Sequence, residues 1–193
     1  MDYIVDESGT FETKLDEILA GMVNHSVKQF SFYDTKGLHA TKFYGRLWKY
    51  TPNYATLEAV NYNGNKAVKC RRAGTWQPWE WENPPMADGV EYRTTKRYDG
   101  KPVYTTCVNL GTLPSSGDKN FKYSTEGSVT ELISFEIFSK NSENEQYSWP
   151  HMVYTSAVIK GTARQSGLRT FSVRAHESLA TFTGKAILEY IKV

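Results

Sequence analysis

Cysteine is nearly absent: Cys70 and Cys107 are the only two in 193 residues. Without a Cys-x-x-Cys or His-x-x-x-His pair, the chain lacks the ligand spacing of a structural zinc site. One disulfide is compatible with the count, although buried free thiols are the commoner state of such residues. The histidines His25, His39, His151 and His176 are scattered, so no metal site is expected. There is no G-x-S-x-G elbow and no dinucleotide glycine pattern, and GTARQSG has the glycines but not the lysine of a phosphate loop. No cofactor is therefore expected. Formal net charge is only +2, from 23 basic and 21 acidic residues spread along the chain. That leaves no electrostatic footprint for nucleic acid. Nothing approaches the roughly 18 consecutive apolar residues of a membrane-crossing helix, so no membrane insertion is expected. The first residues, MDYIVDESGT, carry acids and no apolar run, unlike a signal peptide.

Aromatic residues are plentiful, at 14% with thirteen tyrosines, a bias towards strands and binding surfaces. Hydrophobic residues at 39% against 23% charged suffice for a packed core. One helix is predicted in FETKLDEILAGMV, where Leu15, Ile18, Leu19, Met22 and Val23 form an apolar stripe. Thr13 with Asp16 reads as its N-cap and first-turn acid, and Asn24 as its C-cap. Strand patterns follow in QFSFYD, TKFYGRLWKY, YATLEAVNY and AVKCRRAGTWQPWEW, with Asn63-Gly64 as a hairpin signal. Ala73-Gly74-Thr75 predicts a tight turn or bulge before Trp76.

Asn83-Pro84-Pro85 cannot continue a strand ladder, which places a domain boundary there: residues 1–85 and 86–193. The second half opens with a hairpin turned by Asp99-Gly100. Strict alternation predicts Tyr92, Thr94, Lys96 and Tyr98 on one face. It sets Glu91, Arg93, Thr95 and Arg97 on the other, facing water or another chain. LPSSGDKN reads as a loop, and KNSENEQYSWP as a long polar loop tipped by Tyr147 and Trp149. Further strands are expected in VTELISFEIFS, HMVYTSAVIKG, LRTFSVRA and KAILEYIKV. The fold class expected is mainly β: one N-terminal helix with a small β domain, then an antiparallel β-sandwich.

Glu80 and Glu82 flank Trp81, as acids flank a sugar platform in glycosidases. Residues two apart on a strand face the same way, however, and a pair that brackets a scissile bond usually comes from different strands. They read as solvated acids, and no enzyme is expected. Tryptophan and tyrosine offer rigid flat area that suits sugar rings or partner side chains. Trp79 and Trp81 share a face if the run is extended. They can serve a ligand or lock a small core. Arg71 and Arg72 point to opposite faces, and either can stack on a tryptophan or pair with Glu80. The candidate ligand-binding residues are Trp79, Trp81, Tyr147 and Trp149, the last two because a polar loop gives them little core to join.

Arg71 or Arg72, followed by Gly74, Thr75, Trp76 and Trp79, resembles the closing motif of the pyocin knob domain, which decorates tail fibres of contractile bacteriocins and bacteriophages. The helix and hairpins over residues 12–82 are compatible with it. NPPMADGVEYRTTKRYDGKPVYTTCVNLGTLP resembles a segment of prophage tail and fibre proteins of Gram-positive bacteria. There it opens a C-terminal β-sandwich that ends in a strand of the Leu188-Glu189-Tyr190 type. Together the two resemblances cover most of the chain. They imply a phage tail fibre or receptor-binding protein in the virion tail, a homotrimer that joins other phage tail proteins and attaches to a host cell-surface glycan. A structural tail or baseplate component without receptor contact is the alternative.

Overall fold

The computed structural model describes residues 2–5, 11–33, 38, 42–114, 117–122, 129–140, 146–149, 165–167, 170–175 and 182–192. They form two compact units, Met1–Pro85 and Met86–Val193. The described part is mainly β with one short helix, and no helix in it is long and apolar enough to cross a membrane.

The first unit runs β1 (Asp2–Val5), α1 (Phe11–Ala20), β2 (Ser26–Tyr33), β3 (Lys42–Thr51), β4 (Tyr54–Asn61), β5 (Lys66–Arg72), β6 (Thr75–Trp76) and β7 (Glu80–Asn83). Its sheet order is β1-β2-β3-β4-β5-β7, with β6 paired to β5. β1 lies parallel to β2, so α1 is the crossover that a parallel pair requires. MDYIVD gave no sign of this strand. The other pairings are antiparallel.

Side-chain alternation makes the sheet two-faced. Inward go Phe30 and Phe32 of β2, Phe43 and Leu47 of β3, Ala55, Leu57 and Ala59 of β4, Ala67 of β5 and Trp81 of β7. Leu15 and Leu19 of α1 are buried too. Small and large residues alternate across this face. Gly45, Ala59 and Ala67 lie in one cross-strand row between Phe30 and Trp81. A Cβ at Gly45 would come within 2.9 Å of both Leu57 and Phe32, so the Phe32 ring occupies the space the glycine leaves.

The helix differs at both ends from its sequence signals. It begins at Phe11, which places Thr13 inside it, and it stops at Ala20, leaving Val23 exposed. Asn24 is not its cap. The Lys49 ammonium from β3 donates to the carbonyls of Leu19 at 2.7 Å and Met22 at 2.6 Å. A cation on orphaned C-terminal carbonyls is favoured by hydrogen bonding and by the helix dipole together.

The second unit contains β8 (Glu91–Tyr98), β9 (Lys101–Thr112), β10 (Gly117–Lys122), β11 (Val129–Lys140), β12 (Gln146–Trp149), β13 (Gln165–Gly167), β14 (Thr170–Ala175) and β15 (Thr183–Lys192). One sheet has the order β8-β9-β15-β11-β12 and a second the order β10-β14-β13. Val108, Leu110, Leu113, Ile137, Ala186, Leu188 and Tyr190 make the core of this unit, and Phe121 of β10 packs against it. Asp99 and Gly100 turn the β8–β9 hairpin with φ of 48° and 71°, the left-handed pair that the Asp-Gly signal demands.

Four expectations fail here. β8 does not alternate strictly: Arg93 pairs with Tyr104 but Arg97 with Pro102, so β8 bulges between them. Arg97 fills the bulge, donating to the carbonyls of Thr94, Thr95 and Lys96 at 3.2, 3.1 and 3.0 Å. Glu91, expected towards water or another chain, accepts from the Tyr190 hydroxyl and the Lys192 ammonium of β15. GDKN, read as loop, opens β10 because β14 pairs with it throughout. The end of KNSENEQYSWP, also read as loop, is β12. HMVYTSAVIKG lies outside the described residues.

Candidate functional site

The tryptophan run folds inward. Ala73 and Gly74, with φ of 49° and 83°, make a two-residue turn that returns Thr75 and Trp76 against Arg72 and Arg71. Beyond it the chain crosses to β7. Trp79 and Trp81 end with only 7% and 4% of their surface exposed. The Trp79 ring stacks with Phe11 at 6.0 Å and with Phe32 at 6.1 Å, and Phe11 stacks on Phe32 at 5.0 Å. Trp81 meets the Phe43 ring edge-on at 6.3 Å. Of the two roles open to these rings, the geometry gives the core. Both are core residues: Trp79 packs against Phe11 of α1 and Trp81 against Phe43 of the sheet.

The polar members of the run act on the same helix. Arg71 Nε and Trp76 Nε1 both donate to Asp16 Oδ1, at 3.0 and 2.8 Å, and Arg71 also donates to the Pro52 carbonyl. Arg71 thus pairs with Asp16 of α1 and not with Glu80. Lys69 is buried. Its ammonium meets Glu12 at 2.8 Å and the Gln77 carbonyl at 2.9 Å, and it lies 5.5 Å from the Trp79 ring centre. A buried ammonium is tolerated only when its protons are so engaged. The sequence motif is therefore one fastener between sheet and helix.

Of the other pair, Tyr147 and Trp149 lie on β12, paired in register with Ser139 and Ile137 of β11. Of the four expected contact residues, the structure buries Trp79 and Trp81 in the first unit and sets Tyr147 and Trp149 on a strand of the second.

Two surfaces missed from sequence are concave. In the second unit a groove of about 830 Å³ is lined by Cys107, Asn109, Phe138, Lys140, Thr183 and Lys185, among others. At its edge Asp88 accepts from Lys185 at 2.9 and 3.0 Å and from the Cys107 thiol at 3.3 Å. Hydrogen bonds from Lys185 and Cys107 hold the Asp88 carboxyl below its ordinary value. Burial, then the adjoining carboxylate, pushes the Cys107 thiol up to about 11. A thiol so protonated is a poor nucleophile and a poor metal ligand. Both cysteines are free.

The second surface is the outer face of the first unit's sheet. A groove of about 420 Å³ runs across β2 to β5, lined by Gln29, Tyr44, Arg46, Glu58, Val60 and Lys66, among others. Nine large hydrophobic side chains are exposed among the described residues, and six of them, Val27, Tyr44, Tyr50, Tyr54, Val60 and Tyr62, lie on this face or at its rim. Such concentration on one face is unusual for isolated surface residues. A signal existed: Tyr54, Thr56, Glu58, Val60 and Tyr62 alternate with Ala55, Leu57, Ala59 and Asn61.

No protein-family model matches the chain, and no curated protein does. Among solved structures it is similar to an N-truncated R2-type pyocin tail fibre, at 9% identity and a TM-score of 0.30 over 85% of this chain and 91% of that one. A P. aeruginosa R2 pyocin fibre gives 9% identity and a TM-score of 0.30 over 90% of this chain and 64% of that one. A P. aeruginosa R1 pyocin fibre gives 10% and 0.25 over 77% and 57%. The chain thus spans less than two thirds of the latter two.

Two outcomes are expected. Asp16→Ala removes the acceptor shared by Arg71 and Trp76 and should destabilise the first unit by about 1 kcal/mol, a value discounted for the half-exposed carboxylate. Urea unfolding followed by tryptophan emission reads it, and Arg71→Ala added to Asp16→Ala should cost less than the two changes separately. Cys107 should resist iodoacetamide in the native protein at pH 8 and gain reactivity in Asp88→Asn. Because folding raises this thiol's pKa, its contribution to stability is whole below the unfolded value and is lost as pH rises through about 11. Rapid native alkylation of Cys107 at pH 8 would contradict this.

Proposed function

We propose that the chain is the attachment part of a phage-type tail fibre, binding carbohydrate on the host cell surface. One observation carries the reading. Arg71, Gly74, Thr75, Trp76 and Trp79, the residues through which 70–85 resembles the pyocin knob, work together here as the fastener of α1. In this reading the motif marks a knob-like scaffold in the first unit, and the chain acts by holding a surface. The second unit is then the C-terminal sandwich, with β10, β13 and β14 as one layer; Phe121 against the core of the other sheet supports this. The working form is a homotrimer in the virion tail, joined to other tail proteins.

Tyr147 and Trp149 of β12 remain contact candidates; Trp79 and Trp81 do not. Burial of those two tryptophans favours a second reading, in which the aromatics are packing and the protein is a structural tail component.

Fluorescently labelled protein incubated with host cells separates the two. Attachment that isolated wall polysaccharide competes away, by a particle of three times the chain mass in light scattering, is the expected result. A protein that assembles but leaves cells and polysaccharide unbound would establish the structural reading instead.

A further inference from the structure

We infer that the outer face of the β2–β5 sheet is a binding platform for a neutral saccharide, with one sugar ring seated on Tyr44. The inference rests on the attachment reading above and names the surface through which attachment occurs.

The floor is amphipathic. Tyr44 is 46% exposed and Val60 38%, and they face each other in register on β3 and β4. A tyrosine ring beside an aliphatic side chain on a hydrogen-bonded sheet is flat, rigid and already ordered before a ligand arrives. The Lys42 ammonium lies 5.6 Å from the Tyr44 ring centre, and a seated sugar would displace it from the ring towards the sugar hydroxyls. Pyranose rings match such a floor because their axial C–H bonds form an apolar face while their hydroxyls point outward.

Around this floor stand donors and acceptors. Gln29, Arg46, Glu58, Lys66 and Glu82 line the groove, and their side chains make no hydrogen bond or ion pair with other described residues. Arg46 and Glu58 are direct register partners across β3 and β4, yet they do not pair. Their hydrogen-bonding capacity is available in the plane where the hydroxyls of a stacked sugar would lie.

Charge selects among occupants. The lining sets Arg46 and Lys66 against Glu58 and Glu82, and Lys42 beside Tyr44 leaves the face only one cation in excess, a small field for drawing in an anionic polymer. A protein partner fits less well. Interface centres are depleted of charge, and a docked protein would strip water from Arg46 and Glu58 in the middle of the patch. Hydroxyls replace that water one bond at a time. The groove, at about 420 Å³, falls within the range of small-ligand sites.

The whole protein should therefore bind neutral members of an array of neutral and acidic oligosaccharides and bacterial wall polysaccharides. Titration calorimetry with a bound member should find affinity at least tenfold weaker in Tyr44→Ala and in Glu58→Gln. Tyr50→Ala, on the same sheet but outside the groove lining, should bind as the parent does. Circular dichroism keeps the comparison between folded proteins, and Glu58→Gln preserves side-chain shape. If the parent binds a glycan and both groove variants bind it equally well, the platform is overturned while the attachment reading stands. If only acidic glycans bind, the neutral-saccharide assignment is wrong. If Tyr44→Ala lowers the molar mass of the assembly, the face is a subunit contact. If the parent binds no glycan, platform and attachment by carbohydrate fall together.

Discussion

Three cations rooted in one sheet hold one short helix, and the shape of the first unit follows from that grip. A ten-residue helix is marginal in water by itself, since its nucleation costs more than so few hydrogen bonds return. Here Lys49 satisfies the C-terminal carbonyls, Lys69 meets Glu12 in the first turn and Arg71 meets Asp16. Beneath these contacts Phe11, Phe32 and Trp79 stack in series. Remove the helix and two buried lysines lose their helix partners while the Phe32 and Trp79 rings lose the cover of Phe11. Sheet and helix therefore stand or fall as a unit.

The same grip decides where the aromatics can act. The inward face mixes small and large residues: Gly45, Ala59 and Ala67 leave room that rings such as Phe32 fill, while Tyr44, Tyr54 and Tyr62 point out. An outward tyrosine keeps its hydroxyl in water and offers its ring, which leaves an amphipathic outer face. The tryptophans, drawn to attention by their density, turn out to be what makes that face available.

Much of the fold was legible because its signals are local. Asp99-Gly100 fixes its turn through backbone dihedrals alone, the alternation in FSFY and KFYGRLW fixes two strands, and Leu15 with Leu19 fixes the buried side of α1. What stayed hidden depends on distant partners. Lys49 caps a helix thirty residues earlier, and Asp16 binds a guanidinium and an indole 55 and 60 residues later. No spacing rule reaches so far. β12 and the first half of β10 were hidden for another reason. Polar strands such as GDKN carry no apolar period, and they form only because a neighbouring strand supplies the ladder. Trp79 and Trp81 lie in the core for a related reason: density of tryptophan measures material for binding, not exposure. The tyrosine alternation on β4 was visible, and its meaning required knowing which face the helix covers.

The account turns on Trp79 and Trp81 being core and on attachment lying elsewhere. With Trp48, Trp76 and Trp149 changed to phenylalanine, the remaining emission comes from these two residues alone. Acrylamide quenching of that variant, with and without a bound saccharide, is the direct measurement. Blue-shifted emission, weakly quenched and indifferent to saccharide, is the predicted result. Red-shifted emission that acrylamide quenches readily and that saccharide protects would contradict the account.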